Sequence, residues 1–289
     1  KVGGVVEIDF FSPNGFDTNV NPRLRLAYAS LTVDNWEFKF GQQWDLFSPL
    51  NPNTINTNAN LWYAGNLGFR RGQIQVGYKI PVQNIEARLQ LALAEAARET
   101  GSGLGDDNKA VLPMIQGRAS AKFFDNITIG AYFVYAMFSP YHDSSSYDYS
   151  TSGFGVDFTF PFHKYFNLQG EINTGTNLHN SNFSAIAGNG SNDNDKKSFG
   201  FWANITSDIY EHFQFVLGGG LDDNQTDKLP DNSIKQNFVI YGDLVFTIAY
   251  GFSISLEIGH ISTTLQDIEE VGDITNTAMY GFLSGRLTF

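Results

Sequence analysis

The chain has 289 residues and a formal net charge of −12. That is long enough for one large domain and too acidic for a nucleic-acid partner, which favours a basic face. It contains no cysteine, which excludes thiol chemistry and suits the oxidising cell envelope. No run of 18 apolar residues occurs, so no transmembrane helix is expected. The 26 Phe, 13 Tyr and 29 Gly against only 3 Met suit strands with an aromatic outer face and a crowded inner one. The chain opens directly on a strand-like segment at Lys1-Val2-Gly3-Gly4, which reads as a mature or trimmed N-terminus.

Taken in order, the segments alternate with period two, not 3.6. After 2–10 and 22–33, Trp36, Phe38 and Phe40 alternate with Glu37, Lys39 and Gly41 in 36–45. In 70–80, Ile74, Val76, Tyr78 and Ile80 alternate with Gln73, Gln75, Gly77 and Lys79. In 84–97, Leu89, Leu91 and Leu93 alternate with Arg88, Gln90 and Ala92. The segments 112–122, 126–137, 149–160 and 164–177 follow. In 197–208, Phe199, Phe201, Ala203 and Ile205 alternate with Gly200, Trp202, Asn204 and Thr206. Beyond 212–222, Phe238, Ile240, Leu244, Phe246 and Ile248 share one face of 236–248, with Tyr241 and Asp243 on the other. In 250–262, Phe252, Ile254, Leu256 and Ile258 alternate with Ser253, Ser255, Glu257 and Gly259, and 275–289 closes the series. Successive strand side chains point to opposite faces, so each segment has one greasy face and one mixed face.

Most of these 14 segments run 10 to 14 residues, whereas a tilted strand needs about 9–11 to cross a bilayer and soluble strands average nearer 5–6. The connections alternate in length. Asp34-Asn35, Pro81-Val82-Gln83, Phe123 to Asp125, Pro161-Phe162-His163, Ile209 to Glu211 and Ala249 are short; 11–21, 46–69, 98–111, 138–148, 178–196, 223–235 and 263–274 are long and polar. Tight turns at one rim and long loops at the other are the pattern of transmembrane barrels. A soluble sandwich gives no reason for that asymmetry. The expected fold is all-β: a single antiparallel up-and-down transmembrane barrel of about 14 strands spanning 1–289 as one domain.

The last segment ends on Leu287 and Phe289 and resembles the C-terminal strand of outer-membrane proteins. Together with Arg23-Leu24-Arg25-Leu26-Ala27-Tyr28, Gly41-Gln42-Gln43-Trp44 and Phe69-Arg70-Arg71-Gly72-Gln73-Ile74, the chain resembles bacterial porins and is similar to the DcaP-like porins. The resemblance implies a bacterial outer-membrane location, a homotrimer in contact with lipid and lipopolysaccharide, and passive diffusion of small solutes, including small anions such as dicarboxylates. DcaP-like chains usually carry an N-terminal coiled coil, which this sequence lacks. A substrate-specific channel for sugars or hydrophobic compounds, lined by Tyr132, Trp202, Tyr241, Tyr280 and Phe282, is the main alternative.

If the greasy stripes face lipid, the charges between them face the lumen. The basic candidates are Arg23, Arg25, Lys39, Arg71, Lys79, Arg88, Arg118, Lys122 and Arg286, and they fall on one contiguous arc of wall. The acidic candidates Asp157, Glu171, Asp222, Asp243 and Glu257 fall on the opposite arc, with Glu37 and Glu86 as locally paired exceptions. Opposed walls of this kind set a transverse field, and clusters of Arg and Lys favour anions. The longest loop, 46–69, is unusually apolar for a solvated segment, and it is expected to fold inward as a constriction carrying Phe47, Asn53, Asn56, Asn58 and Trp62.

Catalytic and metal signals are weak. Asp222 to Asp227 lacks the central Gly and terminal Glu of a calcium loop. His142, His163, His179, His212 and His260 have no ligand spacing, and neither a phosphate loop nor a nucleophile elbow is present. Asp143 beside His142 and Ser144 to Ser146 is the best enzymatic candidate, and adjacent residues seldom form a relay. No enzyme activity, cofactor, metal or nucleic-acid partner is expected.

Overall fold

The computed structural model describes the chain apart from residues 12–20, 56–60, 97–107, 111, 125–126, 141–148, 187–194, 211, 227–228, 230, 267–271 and 289. Its strands are β1 (Val2–Phe11), β2 (Asn21–Val33), β3 (Trp36–Trp44), β4 (Arg70–Val82), β5 (Ile85–Ala94), β6 (Asn108–Ala110), β7 (Met114–Phe123) and β8 (Ile127–Pro140). They continue as β9 (Tyr149–His163), β10 (Phe166–Thr176), β11 (Lys197–Tyr210), β12 (Phe213–Asn224), β13 (Ile234–Ala249), β14 (Phe252–Leu265) and β15 (Ile274–Leu287). A short 3-10 helix, Leu178–Ser181, follows β10.

Each strand pairs antiparallel with its sequence neighbours, except that β5 pairs with β7 and the three-residue β6 pairs with β8. This is an up-and-down meander, with β1 and β15 at the two edges of the sheet. No helix among the described residues is long and apolar enough to cross a membrane.

Alternation sets the two faces. Ile74, Leu91 and Ile258 stand 53–56% exposed, while their strand neighbours Gln73, Gln90 and Glu257 are buried. Phe201 and Phe246 are exposed, while Trp202 and Tyr241 are buried. The apolar face thus looks outward and the mixed face inward, as a lipid environment requires and a soluble core forbids. The two internal hydrophobic clusters lie on the inward face, against chain that enters from the loops.

The expected strands are all present, with shifted ends. Three tight turns fall later than expected: at Gln83-Asn84 and Lys164-Tyr165 rather than at the prolines 81 and 161, and at Tyr250-Gly251 rather than at Ala249. Pro81 and Pro161 instead lie inside β4 and β9. The turn is set by the residue able to take positive φ, and Asp34, Asn84 and Gly251 do so at φ 51°, 63° and 77°. The segment expected to run to residue 97 ends as a strand at Ala94, and that expected to stop at 137 runs on to Pro140. Phe289 lies outside the described residues.

Candidate functional site

The site is built from the inside of the wall and two loops that enter it. The first begins at Asp45, directly after β3. Two buried side chains fix its root: Arg71 Nε donates to Asp45 Oδ1 at 2.8 Å, and Gln116 Nε2 donates to the same oxygen at 2.7 Å. The backbone N–H groups of Leu46 and Phe47 donate to Gln116 Oε1. Phe47 is fully buried, edge-on to Tyr132 at 5.1 Å and to Phe183 at 4.9 Å. An aromatic ring so placed anchors a loop through area and geometry together.

From there the loop follows the acidic arc strand by strand. On β10, Glu171 accepts from Ser48 Oγ, from Leu50 N at 2.8 Å and from Trp202 Nε1 at 3.0 Å. Gln169 donates to Asn51 O at 2.9 Å. On β11, Asn204 Oδ1 accepts from Asn53 N at 3.1 Å and Thr206 Oγ1 accepts from Asn53 Nδ2 at 2.7 Å. Tyr241 on β13 donates to Asn53 O at 2.7 Å. On β14, Glu257 Oε2 accepts from Thr54 Oγ1 and from Ile55 N at 2.9 Å. A single segment that touches β7, β10, β11, β13 and β14 in turn shows that these strands curve around a common interior.

The returning half is held by backbone contact. Gly65 has φ 99°, and a Cβ there would stand 2.2 Å from Phe201 O. A Cβ at Gly220 would stand 2.0 Å from Ala64 O. Only glycine allows this approach of loop to wall. Asn173 Nδ2 donates to Gly65 O at 2.8 Å.

A second loop, 177–186, was not foreseen as part of the interior. Ser181 O accepts from Arg71 Nη1 at 3.0 Å, and the Arg71 guanidinium lies 4.7 Å from the Phe183 ring centre. Ser184 O accepts from Tyr63 N at 2.9 Å, and Ile186 N donates to Asp222 Oδ2 at 3.0 Å. Burial pushes the His179 ring below the ordinary histidine value. The sequence signals for this loop are faint: Leu178 and Phe183 in an otherwise polar stretch.

Of the sequence-derived constriction residues, Phe47 and Asn53 lie against the inner wall, and Trp62 packs 6.1 Å from Phe69 on the returning half. Asn56 and Asn58 lie outside the described residues. The enzymatic candidate at 142–146 lies outside them as well, and among the described residues no cluster of three His, Cys, Asp or Glu is placed to hold a metal.

The charged candidates are distributed unequally. Asp157, Glu171, Asp222, Asp243 and Glu257 are at most 2% exposed, whereas the side chains of Arg23, Arg25, Lys39, Arg88 and Arg118 keep 13–35%. Lys79 and Arg286 are exposed and Lys122 is half-buried. Arg71 differs from the rest, because the loop root buries it against Asp45.

Most cations of the basic arc carry a carboxylate partner. Arg23 and Arg25 pair with Asp9, Arg25 also with Glu7, Arg88 and Lys39 with Glu37, and Arg118 with Asp157. Lys39 pairs with Glu37 along its own strand, and the other pairs form between adjacent or near strands because opposite residues lie within side-chain reach; Arg23 and Asp9, for example, are register partners. Tyr132, Trp202 and Tyr241, considered for an aromatic slide, lie beneath the loop instead. Residues whose roles sequence reasoning missed are Asp45, Gln116, Asn173, Asn204 and Thr206; the last two share the Trp202 face, so their orientation was legible but their partner was not.

No protein-family model matches the chain, and no curated protein matches it in sequence. Solved structures do. The outer membrane channel DcaP of Acinetobacter baumannii superposes with a TM-score of 0.80 at 19% identity, over 100% of this chain and 80% of that one. The trimer form of OmpT, an outer membrane protein of Vibrio cholerae, gives 0.62 at 11% identity over 99% and 85%. The anion-selective porin from Comamonas acidovorans gives 0.61 at 15% identity over 100% and 84%. The chain therefore has the fold of the outer-membrane porin barrels, and it shares the architecture of the DcaP channel along its whole length.

Proposed function

We propose that this chain is a porin of the bacterial outer membrane, passing small hydrophilic solutes by passive diffusion with a bias towards anions such as small carboxylates. The observation that carries the reading is the unequal exposure of the two arcs. The inserted loop covers or uses Glu171, Asp222, Asp243 and Glu257 directly or through its neighbour loop, while the cations opposite stay accessible. Arg23, Arg25, Lys39, Lys79, Arg88, Arg118, Lys122 and Arg286 outnumber the exposed or half-buried carboxylates of the same arc, Glu7, Asp9, Glu37 and Glu86. A passing solute thus meets net positive charge focused by low-dielectric walls. The outward apolar face requires lipid, and the trimeric and anion-selective relatives in fold are consistent with a homotrimer in a lipopolysaccharide-bearing membrane.

The aromatic-slide alternative is less favoured, because Tyr132, Trp202 and Tyr241 are committed to holding the loop, which leaves Tyr280 and Phe282. The test is the reversal potential of the purified channel in a planar bilayer under a salt gradient. Anion preference is expected. A cation preference, or no conductance at all, defeats the proposal.

A further inference from the structure

The charge of the basic arc is concentrated at one place. Arg23 and Arg25 meet Asp9 and Glu7, Arg71 meets Asp45, and Arg118 meets Asp157. Lys122 is the register partner of Glu86. Each of these groups carries little net charge. Arg286 stands singly, opposite Ser253 of β14, and Arg70 is buried against the Trp44 ring. The surplus lies in Lys39 on β3, Lys79 on β4 and Arg88 on β5, which have Glu37 as their one carboxylate.

Lys79 and Arg88 are direct register partners on the inner face. Like charges set opposite each other weaken a strand pair, and Arg88 relieves this by turning away. Its side chain lies across Gly77, where a Cβ would stand 3.3 Å from Nη2 and 3.4 Å from Nε. It thereby reaches Glu37, the register partner of Gly77 on β3. Nη2 is spent on Glu37 and Nε is sealed against the wall. Nη1 remains for a third party, together with the ammonium groups of Lys79 and Lys39. Lys79 is exposed, and among the described residues its side chain has no hydrogen bond or ion pair. Lys39 Nζ stands 3.7 Å from Glu37, too far for a hydrogen bond. Ser30, Thr32, Gln75, Gln90 and Ser120 adjoin the group and carry no charge. Among the described residues of the inserted loop, none hydrogen-bonds to any of the three cations, whose Lys39 and Arg88 side chains keep 22% and 29% exposure.

We propose that Lys39, Lys79 and Arg88 form a discrete binding station for a small oxyanion on the inner wall, and that the anion bias of the channel arises there and not along the whole arc. Three cations around one carboxylate leave two positive charges uncompensated, so a doubly charged anion fits the station better than a singly charged one. Arg88 Nη1 donates from the wall, and the two lysines close on the anion from β3 and β4. Their ammonium groups are mobile point charges, which hold an anion without fixing its orientation. A solute held in this way must also leave, so the station makes flux saturate with concentration and does not block it permanently. The station rests on the channel reading and narrows it to one site.

Sulfate is the probe, because it stays doubly charged throughout the neutral range. Calorimetric titration of sulfate into the detergent-purified protein should show saturable binding, weakened about tenfold or more in Lys79→Gln, as loss of one charge-assisted contact implies. Lys79 is exposed and unpartnered, so this variant keeps the fold. Lys164→Gln removes the same charge from a tight turn, where the ammonium lies 4.5 Å from the Tyr165 ring centre, and should bind sulfate as the wild type does. In planar bilayers, added sulfate should reduce the chloride current to a plateau, at higher concentration in Lys79→Gln than in the wild type, and nitrate at equal ionic strength should not. Absence of saturable sulfate binding, or equal binding in the wild type and Lys79→Gln, overturns the station. Equal weakening by Lys164→Gln overturns it in favour of diffuse surface charge, and equal block by nitrate overturns the match to a doubly charged anion. Binding that leaves the current untouched overturns its place in the passage. Because binding is read without current, it holds or fails independently of the reversal potential that tests the anion bias.

Discussion

The two arcs of the inner wall handle charge in opposite ways. On the arc from β2 to β7, cations meet carboxylates on the same, adjacent or near strands and remain part-exposed. On the arc from β10 to β14, carboxylates meet no such cation; they accept hydrogen bonds from loop backbone, hydroxyls and indole, and are buried. Part-exposed ion pairs contribute about 0–1 kcal/mol each, so the first arc does little for stability and is free to set the field. The second arc is structural, because a buried donor stranded by loss of its acceptor costs about 1–3 kcal/mol. Net charge on a wall therefore says little until it is known which charges the loop has taken.

The largest expected effect follows from the acidic side. Glu171→Ala strands the donors of Ser48, Leu50 and Trp202 together, a loss of several kcal/mol at about 1–3 for each buried donor. The inserted loop should leave the wall, raising single-channel conductance and the rate at which added protease cleaves within 46–69. An unchanged conductance would mean that the loop does not limit the aperture. Gly220→Val should act similarly through the wall, because its Cβ would stand 2.0 Å from Ala64 O.

Next comes the outer face, where both arcs should behave alike. Leu256→Arg, on the outward face of β14, should cost about 2–4 kcal/mol if it lies near the bilayer midplane. The same Arg at Ser284, half-buried on the inner face of β15, should cost far less. The measurement is folded fraction in lipid against denaturant; equal losses at the two positions would mean the faces are misassigned. Smaller again is the effect of Arg88→Ala. It leaves Glu37 with only Lys39, so stability should barely move while the reversal potential shifts towards cations. The comparison of arcs sharpens if Arg88→Ala changes selectivity without stability and Glu171→Ala does both.

The wall was legible in the sequence and the interior only partly. Period two survives because every strand has lipid on one side, so Phe201 or Leu256 must be apolar whatever lies within. Strand ends were legible less well, because Pro81 and Pro161 looked like breaks, while Asn84 and Gly251 took the conformations the turns need. The inward loop could be expected from Phe47 and Trp62, which have no business in water. Its anchors could not. Gln116, Asn173 and Asn204 are ordinary polar residues on an inward face until the loop's path brings Leu46, Gly65 and Asn53 against them, and that path joins positions more than 60 residues apart. Sequence spacing carries no record of such contacts. Arg71 differs from the other basic candidates in a way no local motif reveals, because nothing in Phe69-Arg70-Arg71 shows that Asp45 and Ser181 O close over one guanidinium.

The smallest effect tests the junction of the two loops. His179 sits in the second loop with Nδ1 3.3 Å from Ala185 O, and burial holds its ring below the ordinary value. The neutral ring is thus the form the docked loop prefers. Above the unfolded value of about 6.5 both docked and undocked states are neutral, and docking is at full strength. As pH falls below that value, the undocked ring takes up a proton that the docked ring resists, so docking weakens and then levels off below the depressed docked value. Tryptic cleavage beside Lys196 and Lys197, at the far end of this loop, should accordingly be faster in wild type than in His179→Gln at mildly acidic pH and equal at neutral pH. Because Arg71 and Tyr63 tie the second loop to the first, conductance noise should rise over the same interval in the wild type alone. If cleavage and noise follow pH identically in both proteins, His179 is a bystander and the loops are held by Ser181, Ile186 and the Phe183 ring without it.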